Sequence, residues 1–304
     1  MVRLKSAWSI PAALACVCLA AVRAPLVAQQ PTLADVLAKT ADRAAALSET
    51  TRLLVCEERY KQKLERVRAI VGFEGSVSVG SRSEVEAVGM DSREWVAELA
   101  LFATPGNEAA GFPWREFRDI VSVNGKPLRD GNSRLAGLAA LSADVAGVTA
   151  VEITRDAATF MFGRLVRAVD IPRTALLFLH RANQPRFEFK KGGQRTIDGT
   201  NTWEIKFKEK STPTIIRASG DKDSPSTGSF WIDPATGDVL MSVLKSPDSS
   251  ALYDELTVTC NQDPETGLRL PATLTERIMD DEAGQRVQAT ATFTKWRSVP
   301  RKTR

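Results

Sequence analysis

The sequence predicts an α+β domain that is mainly antiparallel β, placed behind an N-terminal export signal. Three observations carry this. Runs of alternating apolar and charged residues recur through residues 186–299, with turn chemistry roughly every dozen residues, the rhythm of a sheet built from hairpins. A second alternating run, from Leu54 to Leu64, lies in the first half. Helical periodicity is confined to a stretch near residue 40 and to an interlude between the two sets of strands.

The first five residues, Met-Val-Arg-Leu-Lys, place Arg3 and Lys5 ahead of an apolar stretch from Ala7 to Val22. A spanning helix needs about 20 apolar residues, and this run is shorter. A basic start, a short apolar middle and small residues afterwards form the pattern of a cleaved secretory signal. Residues 1–28 are read as that signal, cut after Ala28; the alternative is an uncleaved anchor. Cys16 and Cys18 follow Ala13 and Ala15 by three positions, where lipid attachment would want leucine. After signal removal no apolar run can cross a bilayer, and the chain is expected in the periplasm or outside the cell. Residues 29–304 are expected to form one domain: helix plus strands in 29–130, helices in 131–184, and an antiparallel meander in 185–304.

Signal removal changes the charge balance. It takes Arg3, Lys5 and Arg23 from a total of 41 basic residues, leaving 38 against 37 acidic ones. The surplus falls from +4 to +1. A nucleic-acid binder would concentrate positive charge on one surface, whereas these charges are interleaved, so no nucleic-acid partner is expected. Two cysteines remain, Cys56 and Cys260. In an oxidising compartment they could form one disulfide; otherwise they are buried thiols behaving as small apolar groups.

Thr32, with Asp35 three residues on, reads as a helix start, and Leu33, Val36, Leu37, Ala41, Ala44, Ala45 and Leu47 continue it to about Glu49. Leu54, Cys56, Glu58, Tyr60, Gln62 and Leu64 then share one side of a strand whose other side is charged. Gly72, Gly75 and Gly80 mark a loop. Strands follow near Ser83–Val88, Trp95–Phe102 and Phe117–Val123, and Asn124-Gly125 is a two-residue hairpin turn. Leu135, Leu138, Ala139 and Leu141 suggest a short helix, and Ile153, Ala157, Phe160 and Met161 one face of another. A third helix runs from Pro172 to His180 and is apolar nearly all round, so it should be buried or line a cavity. Lys190-Lys191-Gly192-Gly193-Gln194 reads as a hairpin turn. Asp233-Pro234-Ala235-Thr236-Gly237 and Asp263-Pro264-Glu265-Thr266-Gly267 are turns between later strands.

Catalytic motifs are absent. One histidine, His180, excludes a multi-histidine metal site, and two distant cysteines cannot complete a zinc tetrahedron. At the end of an apolar helix, His180 is better suited to capping. No glycine-rich phosphate cradle follows a strand. Glu57 and Glu58 point to opposite faces, so they cannot share a proton; Glu58 faces inward. Asp280-Asp281-Glu282 marks a hairpin tip, and no spacing selects a carboxylate pair for hydrolysis. No metal or other cofactor is expected.

The phrase Phe230-Trp231-Ile232-Asp233-Pro234-Ala235-Thr236-Gly237-Asp238-Val239-Leu240 resembles a strand–turn–strand phrase of the LolA/LolB lipoprotein carriers and the related lipid-sensing domain of the regulator RseB. The order of elements is similar too: one helix, long strands, a helical segment, then more strands. The resemblance implies an incomplete β-barrel, or strongly curved sheet, with helices covering the concave side. It also implies an apolar ligand, a lipid or lipoprotein acyl chain, and an envelope protein as a further partner. Phe160, Leu176, Leu177, Phe178, Trp203 and Phe207 would then line the cavity. Two other readings stay open: an envelope structural or interaction module with a filled core, and an exported carboxylate-dependent hydrolase.

Overall fold

The computed structural model describes residues 30–70, 84–103, 114–128, 134–137, 149, 151–153, 155, 157, 159–162, 172–218, 220–247 and 252–300. The expected signal at residues 1–28, the glycine loop around Gly72–Gly80 and the helical residues Leu138, Ala139 and Leu141 lie outside them.

The chain opens with helix α1 (Leu33–Thr50). Its start is a reciprocal cap: the Asp35 amide donates to Thr32 Oγ1 at 3.2 Å and the Thr32 amide to Asp35 Oδ2 at 2.9 Å. The Thr32 hydroxyl and amide hydrogen bonds hold the Asp35 carboxyl below its usual range. Each bond satisfies a donor that the first helical turn leaves open. Among the described residues thirteen strands follow: β1 (Thr51–Ile70), β2 (Glu84–Ala103), β3 (Trp114–Val123), β4 (Lys126–Pro127), β5 (Phe187–Ile197), β6 (Thr200–Glu209), β7 (Arg217–Ala218), β8 (Lys222–Asp223), β9 (Thr227–Ile232), β10 (Val239–Pro247), β11 (Leu252–Gln262), β12 (Arg269–Asp280) and β13 (Gln285–Pro300). Between β4 and β5 lie helix α2 (Arg134–Gly137) and a 3-10 helix, Thr174–Leu179.

Eleven strands form one antiparallel sheet in the order β4-β3-β2-β1-β13-β12-β11-β10-β9-β6-β5, and β7 and β8 pair separately. The last strand, β13, inserts between β1 and β12, which joins the two halves of the chain into a single sheet. The outer strands β4 and β5 are not paired with each other, so the sheet is not closed. The hairpin at Asn124-Gly125 has the expected form, both residues taking positive φ (48° and 75°).

One face of the sheet carries the main core. Leu54, Cys56 and Tyr60 of β1, Leu99 of β2, Ile205 and Phe207 of β6, Phe230 of β9, Val258 of β11, Leu274 of β12 and Phe293 of β13 all contribute to it. Val36 of α1 and Ala175, Phe178 and Leu179 of the 3-10 helix pack against the same face. On this side Tyr60 stacks on Trp95, with ring centroids 4.2 Å apart.

The structure corrects four local expectations. β1 is wet on one side only beyond Cys56: Leu53, Leu54, Val55 and Cys56 are all buried. Leu53 and Val55 form a second cluster on the other face with Ala100, Phe102, Phe117, Leu135 and Ile153. Residues from the helical interlude cover the sheet there and replace water. Ile153 therefore belongs to this outer cluster while Ala157 belongs to the main core, so the two do not mark one helix face. The Arg173–His180 segment is a six-residue 3-10 helix, not α; tight i→i+3 turns suit short pieces that bury side chains in several directions. Finally, Gly192-Gly193 is a bulge inside β5, and the turn is Asp198-Gly199. A Cβ on Gly192 would meet Glu204 Oε2 at 2.5 Å, and that carboxylate accepts the Gly193 amide at 3.2 Å.

Candidate ligand pocket

Two turns of the same sequence type build one end of the sheet. In Asp233–Gly237 the Gly237 amide donates to the Asp233 carbonyl at 2.8 Å, and Thr236 Oγ1 donates to Asp233 Oδ2 at 2.9 Å. Asp263–Gly267 repeats this, with Gly267 to the Asp263 carbonyl at 2.9 Å and Thr266 Oγ1 to Asp263 Oδ2 at 2.8 Å. In both, aspartate accepts from its own turn, threonine closes it, and glycine supplies positive φ. Gly237 serves a second need: a Cβ there would lie 2.8 Å from the Thr40 backbone nitrogen, so the missing side chain lets the turn sit against α1. Lys39 Nζ donates to the Ala235 carbonyl at 3.2 Å across that junction.

Between α1, the 3-10 helix and these two turns lies a pocket of about 320 Å³. Its apolar wall includes Leu176, Leu179, Val239, Leu268 and Cys260. Arg43, Arg173 and Arg269 line it as well, with Asp238 as the one carboxylate among its lining residues. Arg43 Nε lies 3.3 Å from Asp238 Oδ1, and Arg269 Nε 3.9 Å from Asp238 Oδ2. Arg269 Nη1 donates to the Cys260 carbonyl at 3.0 Å, leaving its buried Nε without a hydrogen-bond partner. Arg173 sits 5.6 Å from the Trp114 ring, and its buried Nη1 also has no hydrogen-bond partner. Burial lowers the Arg173 pKa, with the Glu116 carboxylate opposing the shift; a guanidinium nevertheless stays charged. Burial pushes the Cys260 thiol up to about 11, so it is neutral.

The aromatic residues singled out in the sequence occupy the interior beside this pocket. Phe178 stacks on Phe187 at 4.6 Å and meets Phe207 edge-on at 5.4 Å, and Phe207 stacks on Phe230 at 4.7 Å. Trp203 is buried, with Lys191 Nζ 3.0 Å from its ring centroid. Leu176 faces the pocket, and Leu177 and Phe160 pack partly buried against the core. The Phe160 carbonyl accepts from Gln62 Nε2 at 2.7 Å and Arg93 Nη1 at 2.6 Å.

The inward carboxylate, Glu58, is fully buried and receives Arg118 in a two-pronged pair, Nε to Oε2 at 2.5 Å and Nη2 to Oε1 at 2.8 Å. Nearby, the Tyr60 hydroxyl donates to Glu276 Oε2 at 2.6 Å. In such buried pairs, removing one partner leaves a desolvated charge behind, which is costly. Among the described residues no group of three or more histidine, cysteine or acidic residues could hold a metal ion. His180 is buried at the end of the 3-10 helix, where its carbonyl accepts from the Asn183 and Gln184 amides at 2.8 and 3.0 Å.

The disulfide alternative does not fit. Cys56 and Cys260 are free and buried, and they lie on β1 and β11 with β13 and β12 between them. Three inter-strand steps of about 4.8 Å put them roughly 14 Å apart, against the ~6 Å that a bridge requires.

Sequence reasoning missed all three arginines. They stand on separate elements at positions 43, 173 and 269, with no shared motif. The available signal was the repeated Asp-Pro-x-Thr-Gly turn, which brings Asp238 and Arg269 to the same end of the sheet.

No protein-family model and no curated protein matches the chain. Among solved structures, it is similar to LolA superfamily protein NE2245 from Nitrosomonas europaea, at 11% identity and a TM-score of 0.32, covering 89% of this chain and 96% of that one. It is also similar to an outer membrane lipoprotein-sorting protein domain from Vibrio parahaemolyticus, at 10% identity and a TM-score of 0.33 over 86% and 91%. A DUF1329 family protein from Desulfovibrio piger is similar at 10% identity and a TM-score of 0.28, over 87% and 93%.

Proposed function

We propose that this is an exported protein of the cell envelope, acting in the periplasm, that binds an apolar ligand such as a lipid or a lipoprotein acyl chain. The carrying observation is the pocket of about 320 Å³ between α1, the 3-10 helix and the sheet, with Leu176, Leu179, Val239 and Leu268 in its wall. That volume sits at the lower end of the ~300–1,000 Å³ usual for small-ligand sites. In this reading the core-bearing face of the sheet is its concave side, covered by α1 and the 3-10 helix. An acyl chain enters beside Leu176. Displacing the short 3-10 helix, whose i→i+3 bonds are poorer than α-helical ones, extends the site toward Leu177, Phe178, Phe207, Trp203 and Phe160.

Native mass spectrometry of protein purified from its own envelope tests this. Co-purified lipid, lost on Leu176→Trp substitution, supports the reading; bare protein that also fails to take up a fluorescent fatty acid refutes it. A second reading, an envelope interaction module, draws on the stacked Phe178, Phe187, Phe207 and Phe230, which fill the interior beside the pocket. That second outcome would leave it standing.

A further inference from the structure

We infer that the pocket recognises the acidic head of a single-chain amphiphile, an alkyl chain ending in a carboxylate or a phosphate. The inference rests on the pocket being the ligand site and adds the chemistry of the ligand's head. Three guanidinium groups, Arg43, Arg173 and Arg269, line the pocket together with one carboxylate, Asp238. Asp238 does not use up their donors: Arg269 Nε stands 3.9 Å away and makes no hydrogen bond, and Arg173 Nη1 is buried without a partner.

A buried, unpaired guanidinium donor is costly. An anionic oxygen placed between Arg173 and Arg269 would give those two donors acceptors in charge-assisted hydrogen bonds. The rest of the lining then suits the tail, since Leu176, Leu179, Val239 and Leu268 supply an apolar wall beside the charged groups. Arg43, with its side chain 59% exposed, stands in solvent and contributes attraction that salt would screen. A volume of about 320 Å³ accommodates one head and the first part of one chain, so a single-chain ligand fits the site as it stands.

The test is isothermal titration of the folded protein with decanoate, decyl phosphate, 1-decanol and inorganic phosphate. Decanoate and decyl phosphate are expected to bind about tenfold or more tightly than 1-decanol, the difference expected from a hydrogen bond to a charged group. Their affinity should fall with added salt while that of 1-decanol does not. Arg173→Met and Arg269→Met should each abolish most of that preference, read as the ratio of acid to 1-decanol affinity in the same variant. Arg43→Gln, at an exposed position, should lower acid binding by a smaller factor without disturbing the fold. If those two variants lose their circular-dichroism signal, Arg43→Gln and the salt dependence of the parent decide the matter. Equal binding of decanoate and 1-decanol would overturn the inference but leave the apolar-ligand reading intact. Binding of inorganic phosphate as tightly as decyl phosphate would overturn it in favour of a free-anion site. No binding by any alkyl probe would overturn both.

Discussion

Phe178 and Leu176, two residues apart on one 3-10 helix, should respond very differently to truncation. Phe178 is 0% exposed and its ring is held between Phe187 at 4.6 Å and Phe207 at 5.4 Å. Removing a buried phenyl ring costs about 3–5 kcal/mol, and each aromatic pair adds roughly 0.5–1.5 kcal/mol beyond area alone. Phe178→Ala should therefore lose about 4–5 kcal/mol. Leu176 is only partly buried and faces the pocket, so its side chain already lacks neighbours on one side. Truncating it enlarges an existing space, and the loss should be about 1 kcal/mol, below the ~2–5 typical of a fully packed leucine. Urea denaturation with unchanged slopes would measure both. A fluorescent fatty acid should bind Leu176→Ala more weakly than the parent. Losses of equal size at the two positions would refute the assignment of Leu176 to a cavity wall and of Phe178 to packed core.

Further outcomes are expected elsewhere. Arg118→Met, which takes both guanidinium hydrogen bonds from the buried Glu58 carboxylate, should cost about 3–5 kcal/mol in denaturant unfolding, and adding Glu58→Gln should recover part of the loss. Gly228→Ala should destabilise by roughly 1–3 kcal/mol or more, because a Cβ there would clash with the Val243 carbonyl oxygen and lie 2.8 Å from the Phe207 ring; a neutral result by thermal melting would contradict the strand spacing. Both thiols should ignore a thiol reagent until the protein unfolds and then titrate as two free groups, since burial raises Cys56 and Cys260 alike. Glu188, bonded to Lys190 and Lys210, is held at about 2 against an ordinary 4.5. Its folded value is depressed, so its contribution to stability is present above the ordinary value and is lost as pH falls toward 2. Carboxyl NMR should show that midpoint, rising in Lys210→Met and in high salt.

Much of the architecture was legible because strand and helix periodicities are local. The Thr32–Asp35 cap, the Asn124-Gly125 turn, the paired Asp-Pro-x-Thr-Gly turns and the wet–dry alternation of β6 and β13 each involve residues close in the chain, and each formed as expected. Glu58 was legible as an inward acid from its place on β1. Its partner Arg118 was not, because it stands on another strand and depends on how β2 is laid between them.

The sequence by itself determined the class of fold, the inward face of most strands and the burial of both cysteines. All of these follow from side-chain alternation and turn chemistry over a few residues. Tertiary structure alone decided the insertion of β13 between β1 and β12, which places Cys56 and Cys260 three strands apart and rules out their bridge. It also decided that Leu53 and Val55 are covered on the second face, and that residues 43, 173 and 269 meet around one pocket. These depend on strand order and on where helices dock, and the energies that choose among such arrangements come from pairs of residues far apart in the chain. No local pattern records them.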